Sequence, residues 1–225
     1  MNMKSAYKIL LLVALTLTVS SCIASKGVYH KVGKGETLWR ISYTYKVDLQ
    51  DVAEVNNIKN PTKIRAGQSI FIPGVRSVKR VVPFKKPPPS YKKPRRVVAK
   101  VEKGRFVWPI KGKVISKFGM RGDSMHYGID IRASRGQAVK SSAAGKVVYS
   151  GSGMRGFGNV VIVEHKGGFF TVYSHNDKNT VKRGETVKRG ERIALAGDSG
   201  NATTVHLHFE IRDGKKKRNP LFFLP

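Results

Sequence analysis

Cysteine is nearly absent from this chain: among 225 residues only Cys22 is present, which excludes an intramolecular disulfide. Long apolar runs are missing too. The longest near the start, Ile9 to Val19, has eleven residues, too few to span a bilayer as a helix. Acidic residues are scarce, 14 against 43 Lys and Arg, and the formal net charge is +29. In a cytoplasmic protein such a balance would suggest nucleic acid. After Phe106 no convincing amphipathic helix interrupts the pattern, so the C-terminal half reads as all-β.

What the N-terminus does contain is a processing signal. Lys4 and Lys8 precede the apolar run, which ends in Val19-Ser20-Ser21-Cys22. A cysteine at the small-residue cleavage site resembles a bacterial lipoprotein signal. The resemblance implies removal of residues 1–21, acylation of Cys22, and a mature chain anchored to membrane lipid outside the cytoplasm. There the basic surface would meet anionic envelope material rather than nucleic acid. Ile23, rather than an acidic residue, follows Cys22 and is compatible with the periplasmic side of the outer membrane.

After a short tether, 22–28, residues 29–74 read as a small βααβ unit. Tyr29 to Val32 is expected as a strand and Ser69 to Ile72 as its closing partner. Thr37 can cap a helix with Leu38, Ile41 and Tyr45 on one face, and a second helix is expected from Leu49 to Asn56. Gly-Glu-Thr-Leu-Trp, Val-Asn-Asn, Ile-Arg-Ala-Gly-Gln and Phe-Ile-Pro in this order resemble a LysM domain. That resemblance implies N-acetylglucosamine-containing glycan as ligand, met by Gly35, Glu36, Thr37 and Leu38 and by Lys63, Ile64 and Arg65. Trp39, between Leu38 and Ile41, is expected to be partly core, and His30 to lie at the surface.

Residues 75–105 change character, with twelve Lys or Arg, five prolines and one acid, Glu102. Such a stretch cannot build a core and reads as a disordered, extended linker. At about 3.1 Å per residue it could reach roughly 95 Å. The tether at 22–28 spans only about 20–25 Å, so the LysM unit is expected near the membrane, with the C-terminal domain ranging outward. The linker holds no His, Asp, Asn or Cys and is not expected to fold back and hold the chain latent.

Residues 106–225 carry the chemistry. His126 and Asp130 stand in His-Tyr-Gly-Ile-Asp, and His206 and His208 in His-Leu-His-Phe-Glu. In the second motif Leu207, Phe209 and Ile211 alternate with His206, His208 and Glu210, so both imidazoles share one strand face. Spacing of four is expected to put His126 and Asp130 on one face of a second strand. Two imidazoles and a carboxylate suit Zn2+ with one position left open. A third element, Thr171-Val172-Tyr173-Ser174-His175, places His175 at a strand end, on the face of Thr171 and Tyr173. His165 reads as a structural strand-end residue.

With Phe118-Gly119-Met120-Arg121, Tyr173-x-His175 and Asn219-Pro220, these motifs resemble the lysostaphin/LytM-type zinc metallopeptidases over essentially all of 106–225. The framework, with Tyr149-Ser150-Gly151 and Gly156-Phe157-Gly158-Asn159, is most similar to the NlpD-like envelope lipoproteins. The resemblance implies a mainly antiparallel all-β peptidase domain with one Zn2+ on His126, Asp130 and His208. His175 and His206 would be the catalytic imidazoles, their individual roles open. It implies hydrolysis of peptide cross-links in peptidoglycan, with glycan strands and stem peptides as partners. A D-alanyl–diaminopimelate bond is the expected cut, and Arg121 and Arg155 are candidates for pairing with stem-peptide carboxylates. Many NlpD-like proteins lack metal ligands and activate a cell-wall amidase instead, so an amidase is a second partner to consider. Thr204-Val205 stands where Gly-Pro is usual, and only four residues separate Arg121 from His126, which implies a short loop beside an open groove.

Overall fold

The computed structural model describes residues 26–82 and 104–225. The expected signal, Cys22 and most of the linker, including Glu102, lie outside the described residues. Among the described residues no helix is long and apolar enough to cross a membrane.

In the N-terminal unit β1 (Gly27–Lys31) and β2 (Ser69–Pro73) pair antiparallel. Helices α1 (Leu38–Tyr45) and α2 (Leu49–Val55) pack with each other, and α2 packs on β2. Each helix starts where a side chain satisfies a free backbone donor: Thr37 accepts from the Arg40 N–H and Asp48 from the Asp51 N–H. Leu38, Ile41 and Tyr45 are buried as their spacing requires. Trp39 is half-buried and stacks on Tyr43 at 5.1 Å. His30 is not at the surface. Its ring lies under α1, 3.0 Å from the Tyr45 hydroxyl, and donates to Glu36 at 2.7 Å. Period-two alternation had no way to show that the turn would fold back and cover it.

The C-terminal domain is antiparallel throughout. Its strands are β3 (Val114–Ser116), β4 (Gly119–Arg121), β5 (Ser124–His126), β6 (Ile129–Arg132), β7 (Ala138–Lys140), β8 (Gly145–Gly151) and β9 (Asn159–His165). They continue with β10 (Phe169–Asn179), β11 (Thr186–Val187), β12 (Arg192–Ala196), β13 (His206–Asp213) and β14 (Lys216–Arg218). A ten-stranded sheet runs β11-β8-β9-β10-β13-β6-β3, with β12, β7 and β14 attached at its sides, while β4 and β5 form a separate hairpin. Leu207, Phe209 and Ile211 are fully buried with Ile129, Ile131 and Tyr173. The opposite face of the same strands is left for polar side chains.

A buried polar relay anchors that core. The Ser142 N–H donates to the Tyr173 hydroxyl at 2.7 Å, which lies 2.9 Å from the Thr171 hydroxyl, itself 2.7 Å from His165 Nε2. His165 Nδ1–H donates to the Ala144 carbonyl at 2.9 Å. Burial lowers the His165 pKa below 6.5, so the folded state holds the ring neutral. Folded stability from this group is therefore present above that value and is lost as pH falls towards the lower folded pKa. The melting temperature should drop more between about pH 7.5 and 5.5 in the wild type than in His165→Gln. Equal slopes would contradict a neutral, buried imidazole.

The two units are docked rather than strung apart, contrary to the outward-ranging domain expected from the linker. Residues 79–82 lie on the LysM-like unit: Lys79 N–H donates to the Tyr45 hydroxyl, Arg40 Nε–H to the Val82 carbonyl, and Val81 is buried. Glu54 of α2, only 3% exposed, receives two nitrogens of Arg218, 7% exposed, at 2.7–2.9 Å. Composition announces a spacer. It carries no information on whether the modules at its ends fit each other.

Candidate metal centre

His208 stands in β13 directly opposite Asp130 in β6 on one side and Ser174 in β10 on the other. Directly opposed residues share a face, so His208 and Asp130 meet over the sheet. His126 reaches them differently from the expectation. It is not on the strand of Asp130 but closes the β4–β5 hairpin, and the chain bends at Tyr127-Gly128 before β6 begins. Gly128 makes the bend feasible, since a Cβ there would lie 2.5 Å from the Phe209 carbonyl and 2.7 Å from the His208 ring.

The three donor atoms converge. His126 Nε2 is 3.1 Å from Asp130 Oδ1 and 3.1 Å from His208 Nδ1, and the latter two are 2.8 Å apart. A tetrahedral zinc with bonds of about 2.0–2.1 Å would need donor separations near 3.3 Å, so small adjustments complete one face of the tetrahedron. The trio is also the group of His and Asp side chains among the described residues whose ligand atoms lie close enough to hold a metal ion.

Each ring is fixed through its other nitrogen. His126 Nδ1–H donates to the Lys117 carbonyl at 2.8 Å, and His208 Nε2–H to Glu210 Oε1 at 3.2 Å. Glu210 is buried and also receives Arg212 Nε–H at 2.7 Å. Such outer partners select the tautomer and make the free nitrogen a better ligand. Arg121 donates to the outer oxygen of Asp130 at 2.5 Å, which leaves Oδ1 for the shared face. Its guanidinium is engaged at Asp130 through Nη2, while the side chain stays 45% exposed.

Charge tells the same story. Burial alone would raise the Asp130 carboxyl, yet hydrogen bonds from His126 and His208 hold it well below the usual carboxylate range. Burial would lower His208, yet Asp130 and Glu210 on either side push it up to about 9.

Two more imidazoles face this group. His206 Nδ1–H donates to the Thr204 carbonyl at 2.8 Å, and its Nε2 lies 3.9 Å from Asp130 Oδ1. His175 Nδ1–H donates to the Ser199 carbonyl at 2.8 Å, and its ring is 4.9 Å from that of His206 and 6.0 Å from that of His208. Strict alternation would turn His175 towards the core with Tyr173. A bulge between Tyr173 and Asn176, with His175 at φ 63, turns it to the His208 side. Strain of this kind in a non-glycine residue is characteristic of functional positions. Burial lowers the His175 pKa, keeping the ring neutral at neutral pH.

In the N-terminal unit the expected glycan contacts separate into two kinds. Leu38 is wholly buried, and the Glu36 carboxylate turns inward to His30 and the Gly33 N–H. Neither side chain is presented to a ligand. Gly35, Thr37, Lys63 and Arg65 are exposed, while Ile64 is half-buried.

Comparison with known proteins agrees with this architecture. The model of Peptidase family M23 matches residues 124–220, and that of the LysM domain matches residues 30–73. The uncharacterized lipoprotein YgeR of Escherichia coli is 34% identical over 238 residues, 99% of this chain and 94% of its own. The lipoprotein NlpD/LppB homolog of Pseudomonas aeruginosa is 34% identical over 86% of this chain and 76% of its own. The murein hydrolase activator NlpD of Escherichia coli is 45% identical over 118 residues, 52% of this chain and 31% of that relative. By sequence, the chain belongs to the NlpD-like proteins, which join a LysM domain to a domain of peptidase family M23.

Proposed function

We propose that this protein is a zinc-dependent endopeptidase that hydrolyses peptide cross-links of peptidoglycan and is held to the wall by its LysM domain. The observation that carries the reading is the convergence of His126 Nε2, Asp130 Oδ1 and His208 Nδ1, with His175 and His206 beside them. Zinc held by these three atoms would supply a Lewis acid for the scissile carbonyl and make water more acidic. His175, neutral through burial and committed at Nδ1 to Ser199, can accept a proton at Nε2. His206, committed at Nδ1 to Thr204, can offer Nε2 to the oxyanion or to the departing amine.

The remaining assignments follow from that reading. Glycan would run over the exposed Gly35 and Lys63–Arg65 region, with Glu36, Thr37 and Leu38 contributing backbone groups. Cleavage after residue 21 and acylation of Cys22 would anchor the chain to the outer membrane, facing the periplasm. Domain limits of 22–28, 29–74, 75–105 and 106–225 go with this processing. A D-alanyl–diaminopimelate cross-link remains the proposed substrate, with Arg155 available to its carboxylates.

A second reading has its own support. A relative 45% identical over 118 residues carries the name murein hydrolase activator, which favours docking on a cell-wall amidase. Purified cross-linked muropeptide dimer separates the two. The zinc-loaded chain should convert dimer to monomer, and His175→Ala and His206→Ala should each lower kcat by about 10²–10⁴ while retaining the metal. Variants as active as the wild type would sink the assignment of these imidazoles.

A further inference from the structure

The docking of the LysM unit reaches the metal site through two hydrogen bonds. Asn57, just beyond α2, donates from Nδ2 to the Phe118 carbonyl at 2.8 Å. The neighbouring Lys117 carbonyl receives Nδ1–H of His126, and Gly119 on the other side pairs with His126 across the β4–β5 hairpin. Contact here is close. A Cβ on Gly119, at φ +125, would lie 2.4 Å from the Val55 carbonyl. The hairpin bearing His126 is therefore flanked by the end of α2.

Asn57 is itself held from the far side. Its Oδ1 accepts from Asn219 Nδ2 at 2.9 Å, and the same Nδ2 donates to the Glu54 carbonyl at 2.8 Å. Asn219 N–H and the Arg218 guanidinium both bind the Glu54 carboxylate. The end of α2 is thus clamped between the 117–119 segment and the 218–219 segment, both of the peptidase domain.

We propose that the LysM unit is a structural member of the metal centre. Asn57, seated by Glu54 on Arg218 and Asn219, is a positioning residue for the segment that orients His126, so domain docking and metal binding are coupled. The inference rests on the zinc reading above. Coupling is reciprocal, so whatever docking contributes to metal affinity, metal returns to docking.

Hydrogen–deuterium exchange on the full chain, with and without zinc, tests this without any substitution. Zinc should slow exchange at residues 119–126 and also at the amides of Asn56, Asn57 and Ile58, which bond within the LysM unit. Zinc that binds and protects the peptidase domain alone overturns the coupling but leaves the zinc reading standing. A chain that binds no zinc overturns both. Asn57→Gly provides the second arm, since Asn57 sits at φ 56 and glycine keeps that backbone while removing the side chain. Zinc affinity should weaken about 10–100-fold, as for other partners that orient a ligand. Asn60→Ala removes a cap on the turn at Pro61–Lys63, away from the clamp, and should leave affinity unchanged. Equal weakening by both variants would mean that general loosening of the LysM unit, rather than the Asn57 contact, is responsible.

Discussion

A His208→Ala chain is expected to fold and to lose the capacity to bind zinc. On the proposed zinc reading His208 would supply one of three donors; it stands at the centre of β6-β13-β10 and links Asp130 to Glu210. Its removal leaves His126 and Asp130, with Arg121 still on the outer oxygen of Asp130. Partners that merely orient a ligand are worth 10–100-fold in affinity, so loss of a donor should exceed about 100-fold. The buried face of β13, Leu207, Phe209 and Ile211, is untouched, so circular dichroism should be unchanged. Metal content after gel filtration, read beside the dichroism, is the check. A folded variant that still carries one zinc per chain would move the site elsewhere.

The second large effect is on stability. Glu54 satisfies the Arg218 guanidinium and the Asn219 N–H between the domains, and both side chains of the ion pair are under 10% exposed. Glu54→Ala leaves Arg218 with Asp213, whose side chain is 46% exposed. Removing one partner of a buried pair costs about 3–5 kcal/mol, because the remaining charge stays desolvated. The exposed Asp51–Lys216 contact across the same junction is the internal control, and Asp51→Ala should cost less than about 1 kcal/mol. Urea titration of both variants gives the comparison. If Glu54→Ala costs no more than Asp51→Ala, the domains are not held by this pair.

Much of the site was legible because its residues obey short periods. Alternation through Leu207, Phe209 and Ile211 put His206, His208 and Glu210 on one face, and β13 has them so. Thr37 and Asp48 likewise marked the starts of α1 and α2, since capping is a local hydrogen bond. Where the reading departed, a non-local or irregular feature decided the outcome. His126 and Asp130 meet through a bend at Gly128 rather than along one strand. His175 reaches the site through a bulge and a left-handed backbone, which alternation cannot anticipate. Strands β4, β5, β7, β11 and β14 have two or three residues each, too short to show a period. The Glu54–Arg218 clamp joins residues 164 positions apart, and nothing local in either segment signals the other. His30 looked superficial because its cover, Tyr45 and Glu36, comes from the helix and turn that follow it.

Whether the proposed metal centre cuts the wall itself is tested most directly on purified sacculi. The full chain with zinc should release soluble cross-link peptide fragments, and a chelator or His208→Ala should abolish the release. If sacculi remain intact with the zinc-loaded chain and glycan strands free of stem peptides appear only when an amidase is added, the protein is an activator and the endopeptidase account is wrong.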